Sequence, residues 1–199
     1  MAIPVRKMVM TMKTQRKFKN YAALLKAFID QGGEVTAPID LDAIADMLGI
    51  EVRDAPELEE TDVIGEISFD KEGGHAVIKI NPFQNTYLVR RRFTLAHELG
   101  HYCLHSSSDK QVFSDDRKTM NRMASYWDKY ESEANSFAAQ LLMPKQLVLN
   151  ESGIILDSYI TENGGRKMTT EQFTDQIARV FCVSKQAMQY RLQSIGIIS

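Results

Sequence analysis

The sequence predicts an α+β fold, and three observations carry the prediction. The first is H-E-x-x-H at 97–101, set in the helix-forming run Arg92-Phe93-Thr94-Leu95-Ala96-His97-Glu98-Leu99-Gly100-His101. The second is a pair of strand-like apolar runs, 64–69 and 76–80, joined by the turn composition Lys71-Glu72-Gly73-Gly74. The third is a helical segment over 130–144, rich in alanine and leucine and stopped by Pro144. Together they give a small, mostly antiparallel sheet, two central helices and a helical C-terminal part.

The elements follow in chain order. Residues 1–20 carry Arg6, Lys7, Lys13, Arg16, Lys17 and Lys19 and no acid, which makes a basic arm. A helix is predicted over 17–31, with Leu24, Leu25 and Phe28 as its apolar stripe and Gly32-Gly33 as its stop. Asp40 is placed to cap a second helix that Gly49 ends, and Ile50-Glu51-Val52 begins a strand. Glu57, Glu59, Glu60 and Asp62 form an acidic loop, the expected ion-pair partner of Arg90-Arg91-Arg92. The 76–80 strand leads through Asn81-Pro82 toward the H-E-x-x-H helix and is expected near the sheet edge, with His75 at the surface. A polar stretch between His105 and Tyr126 is expected to form a rim, its Asp115 and Asp116 solvated. Helices over 169–181 and 184–193 close the chain after the flexible Gly164-Gly165. Three parts result: a basic N-terminal helical arm (1–33), a core (34–146) and a C-terminal part resembling a helix-turn-helix (147–199).

Composition narrows the functional class. With 199 residues, 44% apolar and 25% charged, the chain suits a globular protein. A formal charge of −2 gives no overall attraction to nucleic acid or membrane. Two cysteines, Cys103 and Cys182, form no CxxC and no disulfide framework. No apolar run approaches a membrane span, and the N-terminus lacks the apolar core of a secretory signal. A reducing cytoplasm is the expected location.

On a helix, residues four apart lie about 400° round and share a face. His97 and His101 can therefore reach one metal ion, while Leu95, Ala96, Leu99 and Cys103 form a separate core face. Glu98, beside the first histidine, is the expected general base toward a metal-activated water. His105 lies about 12 Å along the axis from His97 and cannot join the same ion, so it is read as a helix C-terminal residue. The third ligand is expected from the 130–144 helix. There Glu131, Ala134, Asn135, Ala138 and Leu142 share a face, and small alanines allow close approach to the H-E-x-x-H helix. Glu133 points away, alongside Lys129, Ser136 and Gln140. Glu131 is thus the chosen ligand, and Asn135, one turn on, is placed to orient a ligand imidazole. Zinc suits this donor set, and manganese or iron could occupy the same ligands. Tyr126 and Tyr130 are both in reach of an oxyanion role and the sequence does not choose between them, with core packing the preferred reading for each.

RFTLAHELGHYCLH followed by ExEANxFAAxLLMP resembles the ImmA/IrrE family of metallopeptidases, from about residue 37 to about residue 198. The resemblance implies a zincin-like core over 34–146, with zinc on His97, His101 and Glu131 and Glu98 as catalytic base. It further implies a protein substrate, a helix-turn-helix repressor of the Xre or phage type. Two other classes remain as alternatives: a non-proteolytic regulator or antitoxin-like partner, and a DNA-binding protein. The second would read DNA through Lys185, Gln186, Gln189 and Arg191 of the VSxxAMxxRLxxxG segment.

Overall fold

Short polar side chains open the helices where the sequence places them. Asn20 accepts from the Ala23 amide and starts α1 (Tyr21–Asp30), and Asp40 accepts from the Ala43 amide and starts α2 (Leu41–Leu48). Gly49, at φ 70°, ends α2 in the left-handed region open to glycine. The computed structural model describes residues 18–69, 75–106, 112–116 and 126–199, with the backbone alone at 115, 116 and 126–128. Residues 1–17, the turn Lys71-Glu72-Gly73-Gly74, and the side chains of Asp115, Asp116 and Tyr126 lie outside that description.

Four strands form one mixed sheet in the order β1-β3-β2-β4: β1 (Ile50–Asp54), β2 (Val63–Phe69), β3 (Ala76–Ile80) and β4 (Val112–Asp116). β1 runs parallel to β3, and β2 is antiparallel to both β3 and β4. Two of the three pairings are thus antiparallel. The expectation that 76–80 lies near the sheet edge is corrected: β3 is interior, paired on both sides, and its Ala76, Ile78 and Ile80 are buried. The edges are β1 and β4. β4 has only Val112 and Phe113 as apolar residues, too few for the period-two pattern that marks a strand. Its pairing with β2 shifts register between Val63 and Gly65, a bulge in β2.

The acidic run 57–62 is mostly a 3-10 helix (Pro56–Thr61) rather than an open loop. The contacts described for Arg91 and Arg92 lie outside the acidic run. Arg91 pairs with Asp54 at 3.3 Å, Arg92 donates to the Ile39 carbonyl at 2.8 Å, and Arg90 is exposed. The cause is position: the α3 N-terminus lies beside the end of β1 and the start of α2.

α3 (Leu88–His105) is the axle of the fold, with every residue from Thr94 to Cys103 buried. A helix buried all round has no solvated strip, so its polar side chains must be matched by neighbours. The sheet covers one side through β2 and β3, and α4 (Tyr126–Leu142) covers the other. α5 (Lys145–Glu162), which the sequence pattern did not mark, follows Pro144 directly. α6 (Thr170–Val180) begins with a reciprocal Thr169–Gln172 cap, and α7 (Lys185–Ser194) with Ser184. One apolar cluster runs from Leu24 in α1 to Leu192 in α7.

Candidate metal centre

Gly100 sets how closely α3 and α4 approach. A Cβ at this position would lie 3.1 Å from the Ala134 carbonyl oxygen and 3.4 Å from the Phe137 Cβ. That approach brings side chains of the two helices onto a common point. His97 Nε2 lies 2.9 Å from His101 Nε2 and 3.2 Å from Glu131 Oε2, and His101 Nε2 lies 3.4 Å from the same oxygen. Both histidines are fully buried and Glu131 is nearly so. Among the described residues, these three form the group of metal-binding side chains whose ligand atoms converge.

The hydrogen bonds say what this point requires. His97 Nδ1 lies 3.0 Å from Asn135 Oδ1, an oxygen that can only accept. Nδ1 is therefore the donor to Asn135, which leaves Nε2 to face Glu131. Either a proton on Nε2 or a cation must stand between it and the carboxylate oxygen at 3.2 Å, and a cation satisfies both histidines and Glu131 together. The spacing suits zinc. Tetrahedral bonds of about 2.0–2.1 Å put ligand atoms about 3.3 Å apart, near the distances seen here. Two imidazoles and one carboxylate are a three-residue donor set of the kind that catalytic zinc sites use.

Glu98 lies on α3 between the two histidines, one residue after His97 and three before His101. It is fully buried, with its carboxylate against Gly65 of β2. His97, His101, Glu131 and Asn135 meet toward α4, and the Glu98 carboxylate reaches toward Gly65 of β2.

The wall around His101 is aromatic. Phe113 of β4 stacks on it, with centroids 4.6 Å apart and planes 22° apart. His105, the last residue of α3, packs against Phe113 and meets the Tyr130 ring edge-on at 4.6 Å. His105 ends α3 as its reading as a helix C-terminal residue expects, but a favourable charge there is not what holds it. It is buried, and burial lowers its pKa to about 4, with the neighbouring His101 adding to the effect. It is neutral near pH 7 and cannot complement the helix dipole. Glu133 is half-exposed, 3.8 Å from Lys129, and reaches His105 at 3.7 Å rather than the metal-binding point. Tyr130, one of the two oxyanion candidates, has its ring in this aromatic wall. Phe113 was missed because β4 was missed. Gly65 carried a signal, a lone glycine inside a strand pattern, which marks a bulge or a close approach.

At the C-terminal helices, Lys185 pairs with Glu171 at 2.8 Å. Arg191 Nε donates to the Met143 carbonyl at 2.9 Å, so this arginine is half-buried and tied to the fold through Nε. Gln186 and Gln189 are exposed.

Comparison with known proteins gives concordant findings. The sequence profile of the IrrE N-terminal-like domain, a peptidase family, matches residues 46–193. The chain is 32% identical over 105 residues to "Uncharacterized immunity region protein 2" of Bacillus phage phi105, covering 52% of this chain and 60% of that protein. It is 31% identical over 135 residues to the metallopeptidase ImmA of Bacillus subtilis (strain 168), covering 68% of this chain and 66% of that one. The chain thus spans a little under two thirds of either relative. A Mycobacterium tuberculosis transcriptional regulator of solved structure superposes with a TM-score of 0.50 at 16% identity, over 86% of this chain and 46% of that chain. At that identity the likeness concerns the fold alone.

Proposed function

Because this chain belongs to the ImmA/IrrE family, whose IrrE N-terminal-like domain spans 46–193, we propose that it is a zinc-dependent endopeptidase with a zincin-like core. The observation that carries the proposal is the convergence of His97 Nε2, His101 Nε2 and Glu131 Oε2 within 3.4 Å, with Asn135 fixing the tautomer of His97.

His97, His101 and Glu131 would hold the ion. When bound, zinc supplies Lewis-acid polarisation of a peptide carbonyl and lowers the pKa of water. Manganese or iron could serve on the same donors. Glu98 takes a proton from the attacking water and hands it to the leaving amine as the C–N bond breaks. Asn135 holds the His97 ring in one orientation. Phe113 and Tyr130 keep bulk water from the imidazoles. An extended substrate segment would add alongside the edge strand β4, whose Phe113 rests on His101.

The substrate is a regulatory protein, a helix-turn-helix repressor of the Xre or phage type. The support is that one relative is an immunity region protein of a phage and another a metallopeptidase. No helix among the described residues is long and apolar enough to cross a membrane, which accords with action in the cytoplasm.

The test uses zinc-loaded protein and a purified repressor encoded beside it. Wild type is expected to cut the repressor, while Glu98→Gln keeps zinc and cuts nothing. Cleavage by Glu98→Gln at the wild-type rate would remove Glu98 as the base. Stoichiometric zinc with no cleavage by wild type would favour the non-proteolytic regulator.

A further inference from the structure

Gly65 has no side chain at a point where none fits. A Cβ there would lie 2.7 Å from Glu98 Oε1 and 2.6 Å from Thr94 Cγ2, closer than non-bonded atoms approach. Its φ lies outside the left-handed region, so the need for glycine is one of space and not of backbone conformation.

The strand at this point is latched by buried amides. Val63 O accepts from Asn81 Nδ2 at 2.8 Å. Ile64 O accepts from the Asn81 amide at 3.0 Å and from Asn85 Nδ2 at 2.9 Å. Asn85 Oδ1 in turn accepts from Thr94 Oγ1 at 2.7 Å, and Thr94 lies one turn before Glu98 on α3. Asn81, Asn85 and Thr94 are all buried. The path from Thr94 through Asn85 and Ile64 to Gly65 and back to Glu98 is closed. It fixes the bulge of β2 relative to α3 at the level of the carboxylate.

We propose that Gly65 is a positioning residue for Glu98: the bare Cα of the latched strand is the seat on which the carboxylate rests. The proposal deepens the peptidase reading, since Glu98 is the base in that reading. The nearest atoms that a methyl at 65 would meet belong to Glu98 and Thr94 and none to His97, His101 or Glu131, so it would displace the carboxylate and leave the three ligands in place.

The test is Gly65→Ala in the full chain. Zinc content is expected to stay at the wild-type level, KM to hold, and kcat to fall about 10²-fold, the order of effect of a misplaced catalytic group. Thr94→Ser, added to Gly65→Ala, removes the clash with the threonine methyl and keeps the hydroxyl to Asn85. It is expected to restore part of the lost melting temperature without restoring kcat. Recovery of kcat in that double variant would overturn the proposal, because the methyl would then act only through strand–helix spacing. A third measurement is independent of turnover. Gly65→Ala is expected to lower the melting temperature less in a Glu98→Ala background than in wild type. Equal losses in both backgrounds would overturn the seat. Unequal losses with a wild type that cuts nothing would uphold the seat and sink the peptidase reading.

Discussion

His97 presents Nδ1 to Asn135 Oδ1 at 3.0 Å and Nε2 to Glu131 Oε2 at 3.2 Å, so both of its nitrogens are addressed by one helix, α4. Residues 131 and 135 are a single turn apart, which puts the carboxylate and the orienting amide on the same face. Asn135→Ala is expected to weaken zinc binding by about 10–100-fold, because the His97 ring and tautomer are no longer held. Asn135→Asp keeps an acceptor at the same distance and is expected to retain affinity. Competition with a chelator measures both. Equal affinity in wild type and Asn135→Ala would remove Asn135 from the site.

The spacing of α3 and α4 is the next dependence. Gly100→Val would drive a branched side chain against Ala134 and Phe137, where even a single carbon is crowded at 3.1 Å. Overpacking of this kind costs about 1–3 kcal/mol. The ligands sit on different helices, so separation also stretches the distance from Glu131 to both histidines. Thermal melting and metal content should fall together. A variant that melted lower with zinc unchanged would mean that the helices separate elsewhere.

Much of the metal-binding group was legible because its geometry is local. The pairing of His97 with His101 and of Glu131 with Asn135 is a matter of helical turns, and Pro144 and the alanines marked α4 as a helix. What a helical wheel does not hold is which elements lie across from each face. β4 went unread because five residues with two aspartates carry no alternation, and with it went Phe113 and the burial of His105. α5 went unread for a different reason: Leu149, Ile154, Leu156 and Ile160 are exposed, so its apolar residues do not trace one buried stripe. The β3 position could not be had from β3 alone, since its pairing with β1 is parallel and joins segments distant in sequence.

His105 makes the fold sensitive to acid. Its folded pKa is lowered to about 4 by burial and by His101, against an ordinary value of 6.5. Below about pH 6.5 the unfolded chain takes up a proton that the folded chain refuses, so stability falls with pH until about pH 4. The contribution is fully present above pH 6.5. His105→Phe fills the same aromatic wall without an ionisable group and should flatten this part of the profile. Melting temperature against pH, compared between metal-free wild type and variant, reads the difference. Parallel profiles would show that His105 does not titrate out of range.

Arg191 separates a structural from a DNA-reading role for the last helices. Its Nε–H donates to the Met143 carbonyl, at the end of the helix that carries Glu131, and so ties α7 to α4. Removing a charged donor from a half-buried bond costs about 1.5–3 kcal/mol, with part of the loss coming from the carbonyl left behind. Arg191→Ala should therefore lower the melting temperature, and it should leave retention on duplex DNA at low salt unchanged from wild type. A groove-reading arginine would give the reverse: little change in melting, and a loss of DNA affinity together with a shallower salt dependence. The bond at 2.9 Å engages Nε alone, so the contrast between the two roles rests on which property the variant loses.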